Sequence, residues 1–363
     1  MGSYPRRFEQ VAAHRFQFRG SGNEYFGVWI ANVIRTILTA GVYSPWATVR
    51  RRRYFLNATY FDGHNFEYHA EGFPILAGRL AVIAAFLVYF AVVGLAPVFL
   101  YAGVLLLLLV PWIVNTALAF NAENTSYRSV RFTFAGDYMG ALVAYVAMPI
   151  LAIVTLGLLA PVASRVQRGY IADNLRWGRG SFRYTGGVMP LFGALARTVL
   201  FAIVCGTITW FLSRYLAPKI IPLIDVDFII RNPAMATYNK RLLLEYWLGN
   251  ILFAGPLVLL TAGFYRTAIR NVTWPRIAYE DANTLGSAVP LWDYALITAS
   301  NLIITVVTLG LFRPWAVARS WALFATSTTF VTDAMLDLLA ESAKVPGNAA
   351  RVQEPEDQLS FGF

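Results

Sequence analysis

The sequence predicts an all-α multi-pass membrane protein with short β-hairpins at the membrane surface, built from three internal repeats of which the third is partial. Three observations predict this: an apolar composition, a self-alignment at constant offset, and long apolar stretches between the aligned copies. Hydrophobic residues make up 57% of the 363 and charged residues only 14%, and the mean hydropathy is +0.53. That composition suits a chain that meets lipid rather than one that folds around soluble cores. The formal charge of +10 is almost wholly arginine, which supplies 27 of the 30 basic residues. In a membrane chain such an excess marks loops held beside anionic headgroups, so membrane lipids, anionic ones, are the expected partners and nucleic acid is not.

Taken in order, residues 1–25 form a cytoplasmic arm and a first short strand. Arg6, Arg7, Arg15 and Arg19 stand there among polar neighbours without an apolar run, so no cleaved signal peptide is expected. From Phe16 to Tyr68 the chain aligns without a gap, at an offset of 116, on Phe132 to Tyr184. Phe16, Phe18 and Gly20 meet Phe132, Phe134 and Gly136; Arg52 and Tyr54 meet Arg168 and Tyr170. A third, partial copy lies at offset 269, where Asn32, Thr36, Thr39, Gly41, Pro45 and Trp46 correspond to Asn301, Thr305, Thr308, Gly310, Pro314 and Trp315. The divisions that follow are repeat 1 over 26–136, repeat 2 over 137–284 with a polar loop insertion at 214–245, and partial repeat 3 over 285–335. A flexible tail, polar and mildly acidic, occupies 336–363.

Each copy holds an apolar segment that ends at T-x-G-x-x-x-P and runs on into an arginine-bearing stretch. Gly and Pro at that spacing predict a structural elbow at Gly41 and Pro45, Gly157 and Pro161, and Gly310 and Pro314. The alternating stretch Ala58 to Tyr68, with Asp62-Gly63 at its centre, predicts a hairpin. Related strands end at Phe18, Phe134 and Tyr184, with a weaker version in Asn271 to Tyr279; they either pair into one small sheet or stay separate. Between the copies, Phe73 to Phe120 carries one charge, Arg79, and breaks at Gly94-Leu95-Ala96-Pro97, which predicts two spans and a tight turn. Pro190 to Ser213 and Tyr246 to Tyr265 predict a second pair.

The repeated apolar stretches Tyr25–Tyr43, Tyr138–Ala160 and Trp292–Leu311 either cross or re-enter. If all cross, successive arginine clusters fall on opposite faces. If they re-enter, twenty basic residues lie on one side against five on the other, the asymmetry of a positive cytoplasmic face, and this arrangement is favoured.

The elbow Thr39-Ala40-Gly41-Val42-Tyr43-Ser44-Pro45-Trp46-Ala47, followed by Arg53-Tyr54 and Phe66-Glu67-Tyr68, resembles the YjgN-like family of bacterial multi-pass inner-membrane proteins. Phe16-Gln17-Phe18-Arg19-Gly20 and Tyr25-Phe26 fit the same pattern, and the resemblance extends over residues 14–335. The second copy has Val162 in place of tryptophan, and the third lacks a clear F-x-F-x-G strand. The resemblance implies a multi-pass location in the bacterial inner membrane. It brings no catalytic residues, because the family is a domain of unknown function.

Ligands for catalysis are few. His14, His64 and His69 form no H-E-x-x-H, there is no G-x-S-x-G or G-K-[ST], and the lone Cys205 sits in an apolar run where it packs. No enzyme, cofactor or metal site is expected. Intramembrane charge points elsewhere: Asn32, Arg35 and Thr36 share a helical face that either lines a pocket for an anion or lipid headgroup or lies outward in the interface, and the run Arg50, Arg51, Arg52 and Arg53 either anchors the topology or binds anionic lipid. Arg79 and Arg197 lie near the starts of their segments, where snorkelling suffices. The expected function is transport or channel-like handling of a small solute or lipid. The alternative is a non-catalytic scaffold or lipid-binding partner protein, with a protein partner or homo-oligomer.

Overall fold

Each arginine-bearing stretch runs straight into a pair of short strands, and those strands decide the fold. The computed structural model describes residues 12–95, 103–220 and 240–332. Strands β1 (Ala12–Arg15) and β2 (Gln17–Phe18) lead into helix α1 (Gly22–Leu38), the first elbow and α2 (Ser44–Asn57). Strands β3 (Thr59–Phe61) and β4 (His64–Tyr68) precede α3 (Gly72–Leu95) and α4 (Leu109–Glu123). Then come β5 (Thr125–Tyr127), β6 (Val130–Phe134), α5 (Tyr138–Val154) and α6 (Ala160–Asn174). Strands β7 (Leu175–Trp177) and β8 (Gly180–Tyr184) are followed by α7 (Met189–Ile220) and α8 (Lys240–Thr273). The chain ends on β9 (Ile277–Tyr279), β10 (Asn283–Ser287), α9 (Leu291–Val307), α10 (Arg313–Thr326) and β11 (Thr328–Thr332).

The chain is therefore not all-α, and the expected all-helical multi-pass fold is overturned. All eleven strands join one antiparallel sheet in the order β1-β11-β10-β9-β8-β7-β6-β5-β4-β3-β2. The ends of that order are one extended segment interrupted only at Phe16: Ala12–Arg15 pairs with β11 while Gln17–Phe18 pairs with β3. The Phe16 amide donates to the Thr328 carbonyl at 3.1 Å, so the sheet curls nearly shut into a barrel. Two hairpins turn through positive φ at both central residues, Asp62 and Gly63, and Arg128 and Ser129, the two-residue turns whose twist matches antiparallel strands, and the three-residue β9–β10 loop has positive φ at Glu280 and Asp281.

Alternation along the strands fills the barrel with rings. Phe61, Tyr127, Val130, Trp177 and Tyr279 are buried together, with Phe16, Phe66, Phe132, Phe182 and Phe330 packed against them. Burying each such side chain contributes about 1.5–3 kcal/mol, which lets strands of two to five residues hold without long ladders. Ring pairs such as Phe16 and Phe61, 4.6 Å between centroids, add specific geometry.

The elbows share one backbone geometry. Ala40, Leu156 and Leu309 have φ of 48°, 51° and 51°, and the following Gly41, Gly157 and Gly310 have 92°, 88° and 90°. In each the glycine amide donates five residues back, to Thr36, Ala152 and Thr305, at 2.7 Å, closing a Schellman turn. Pro45, Pro161 and Pro314 open the next helices and are fully buried. Within α5, residues Val143–Ala147 widen to a π-turn just before Pro149, which has no amide to donate.

Two described stretches are long and apolar enough to cross a membrane, Gly72–Ala91 in α3 and Met189–Leu212 in α7. The expected break at Gly94–Pro97 falls only partly on α3, and its second half lies outside the described residues. The expected 214–245 loop is helical at both edges, with 221–239 outside them; residues 1–11 of the arm and the tail 336–363 also lie outside.

Candidate functional site

A cavity of about 560 Å³ lies where the barrel interior meets the ends of α2, α6, α8 and α10. Its barrel wall is aromatic, with Phe16, Phe61, Trp177 and Tyr279 among its residues. Its helical wall carries Arg168 of α6 and Arg270 of α8, beside Trp274, Trp321 and Phe324. The size is that of a small-molecule pocket, and apolar walls with a few convergent polar groups are the usual composition of one.

The arginines are the unusual part. Arg270 donates to Thr328 Oγ1 at 2.5 Å and lies 4.0 Å from the Trp274 ring centroid and 5.0 Å from that of Phe324. Its buried Nε has no partner. Burial and, second, the neighbouring Arg168 pull its pKa down to about 10. Arg168 is itself lowered, first by burial and then by Arg266, against raising influences from Tyr145 and Tyr184. Among the described residues no carboxylate pairs with either. Two half-buried guanidiniums without a counter-ion repel each other and are under-bonded, an arrangement that an anionic guest relieves. The negative ends of helices that finish at the barrel, Arg270's own included, offset part of that cost.

The residues expected from the sequence fall elsewhere. Asn32 is buried with its Oδ1 unpartnered, whereas Arg35 is exposed and donates to the Tyr43 hydroxyl at 3.1 Å. Thr36 returns its hydroxyl to the Asn32 carbonyl at 2.7 Å, so the three do not converge on a cavity. Of the arginine run, Arg53 donates to the carbonyls of Tyr68 and Ala70 at 3.1 and 3.2 Å, and Arg52 to the Tyr68 hydroxyl and Asn121. Arg50 and Arg51 are exposed. Sequence reasoning missed Arg168 and Arg270 as site residues. The signal for Arg168 was its alignment with Arg52; Arg270, just beyond an apolar stretch, carried none.

One pairing resembles a nucleophile with its base. His69 Nε2 is 2.7 Å from Ser126 Oγ, and Glu67 lies 3.6 Å from the same nitrogen. Burial keeps the His69 pKa below its ordinary value, so the ring stays neutral at pH 7. The carboxylate stands on the wrong nitrogen to orient the ring, and Ser126 is 2% exposed. The trio ties β4 to β5 and offers no path for attack.

Residues 13–352 match the profile of a family described as "Bacterial protein of unknown function (DUF898)". The chain is 26% identical over 343 residues to an inner membrane protein YjgN of Salmonella typhimurium, covering 83% of this chain and 84% of that one. It is 32% identical over 154 residues to the inner membrane protein YjgN of Escherichia coli K12, covering 40% and 37%. No solved structure matches.

Proposed function

The chain belongs to the DUF898 family of bacterial proteins of unknown function, and from that footing we propose that it resides in the inner membrane and handles a small anionic solute or lipid through the barrel chamber. The location follows its YjgN relatives, which are named inner membrane proteins. It is supported by the exposed apolar surface of α3, where no residue of an 18-residue apolar stretch within Gly72–Ala91 is buried. In this reading the two long apolar stretches, Gly72–Ala91 of α3 and Met189–Leu212 of α7, embed the protein, and the three elbows enter one leaflet. The basic segments around the sheet then share the cytoplasmic side, as do Arg50 and Arg51 beside anionic headgroups.

The observation that carries the reading is the pair Arg168 and Arg270, half-buried without carboxylate partners in an aromatic chamber of about 560 Å³. A channel-like or transport role needs such a site to be reached and left, and apolar walls with one charged end suit an amphiphile that passes between lipid and protein. The second reading, a lipid-binding scaffold, is favoured by the elbow tips, where Leu156 and Leu309 are 96% and 95% exposed.

Equilibrium binding of radiolabelled decanoate and dodecyl phosphate to the purified full chain, with decanol as the neutral control, tests the chamber. The wild type is expected to bind the two anions and not decanol. The Arg168→Met/Arg270→Met variant should weaken both by about tenfold or more, the effect of removing a buried charged partner, at equal or higher thermal stability. Equal anion binding by both proteins overturns the chamber reading. Release of preloaded decanoate from proteoliposomes, absent in the variant, would separate transport from scaffolding.

A further inference from the structure

A second cavity, a groove of about 510 Å³, lies outside the chamber between α2, α3 and α4. Its polar end gathers Thr48 and Arg52 of α2, Arg79 of α3 and Asn121 of α4. Arg79 donates to Ser44 Oγ at 2.7 Å and Thr48 Oγ1 at 3.4 Å; Arg52 donates to the Tyr68 hydroxyl at 3.0 Å and to Asn121. Every one of these acceptors is neutral, and among the described residues neither guanidinium has an ion pair. Each guanidinium has five donors, so both keep capacity for an anion. Thr48 and Arg52 are one helical turn apart, which brings the two positive charges to the same end of the groove.

The rest of the groove is apolar. Ile83 lies one turn beyond Arg79 on α3, facing Trp112 and Ile113 of α4. All three remain exposed, at 53%, 48% and 36%. The groove opens on the 18-residue apolar stretch of α3, no residue of which is buried. The occupant must therefore be charged at one end and apolar over a length of helix, and must be present where α3 is bare.

We propose that this groove holds one anionic glycerophospholipid, its phosphate between Arg52 and Arg79 and an acyl chain along Ile83, Trp112 and Ile113. Arg79, a residue that snorkelling alone would explain, is then a headgroup ligand, and Arg52 both braces the α2–α4 contact and faces the phosphate. A free phosphate would satisfy the charges but leave the apolar wall uncovered.

Native mass spectrometry of the full chain in detergent, with phosphatidylglycerol and phosphatidylcholine of equal chain length, reads the site. The wild type is expected to retain phosphatidylglycerol preferentially. Arg79→Gln and Arg52→Gln should each cut that preference about fivefold, the effect of one basic residue near a membrane surface, and Arg79→Lys should keep most of it. Ile83→Trp fills the groove without touching a charge and should lower retention of both lipids. Excess inorganic phosphate should leave the lipid bound; displacement by it would overturn the lipid assignment in favour of a free-anion site. Equal retention by wild type, Arg79→Gln and Ile83→Trp also overturns the proposal. Arg168→Met/Arg270→Met should leave the Arg79-dependent part of that retention unchanged, so the failure of the chamber reading and of this one are distinguishable.

Discussion

Gly20 and Gly136 show what a single missing Cβ does in this chain. A Cβ on either would collide with a tyrosine hydroxyl, of Tyr54 or Tyr170. Those hydroxyls donate to the carbonyls of Ser21 and Asp137 at 2.8 Å, and Ser21 and Asp137 are the N-caps of α1 and α5. The third copy has Val289 and Leu323 at the same positions, losing the hydroxyl and the gap together. Gly136→Ala is therefore expected to destabilise by about 1–3 kcal/mol through overpacking, and Gly136→Val with Tyr170→Leu to recover much of that loss in a thermal-melt double-mutant cycle. No recovery would mean that the pairing is coincidental. His69 makes a second residue-scale case. Its folded pKa is depressed, so the stability it contributes is present above pH 6.5 and lost as pH falls through the lowered value. Between pH 7 and 5 the wild type should lose thermal stability faster than His69→Gln.

The elbow is the element whose chemistry is least expected in water. Its left-handed position, usually glycine, is Ala40, Leu156 or Leu309, and the leucines are almost wholly exposed. A leucine in that conformation costs about 1–2 kcal/mol, and it presents an apolar tip that lipid, not protein, would cover. Leu156→Gly and Leu309→Gly should raise detergent-state stability by about 1 kcal/mol while weakening membrane association. A nitroxide at residue 309 is expected to meet dissolved oxygen rather than aqueous nickel chelate, and the reverse would remove the elbows from the bilayer. The glycine that follows is a separate matter. Nothing lies within 4 Å of a Cβ built on Gly157, so Gly157→Val should destabilise through its φ of +88° and not through a clash.

At the scale of the whole molecule, the strand-to-helix-to-strand course is repeated five times, and each helical excursion returns to the same sheet. An arrangement that sets successive arginine clusters on opposite membrane faces would have to pull that sheet apart. In a Cys205→Ala background, His64→Cys and Arg179→Cys, next to turns of two different hairpins, are expected to react with an impermeant maleimide from one and the same side, the cytoplasmic one. Labelling of the two from opposite sides would sink the shared-sheet arrangement in the membrane. Replacing residues 12–15 with Gly-Ser sequence should open the sheet at β11 and loosen the aromatic interior, seen as lost protection of the Phe330 amide from hydrogen exchange.

The sequence by itself determined the local pieces: helices with the apolar length to meet a membrane, the elbow at T-x-G-x-x-x-P, the Asp62-Gly63 hairpin, and a family resemblance that the profile match bears out. These are set by nearest neighbours in the chain, through hydrophobic run length, glycine φ and proline's missing amide. Tertiary structure alone decided that the strands make one curled sheet. The strands are two to five residues long, too short to name their partners, and some of those partners are remote, as when Ala12 pairs with Thr332. The same holds for the chamber. Arg35 stood out because its own helix is apolar, yet it is exposed. Arg168 and Arg270 lie 102 positions apart and become a pair only because two helices end on one barrel. Burial of a charge is a property of everything folded around it, and no local pattern of residues can state it.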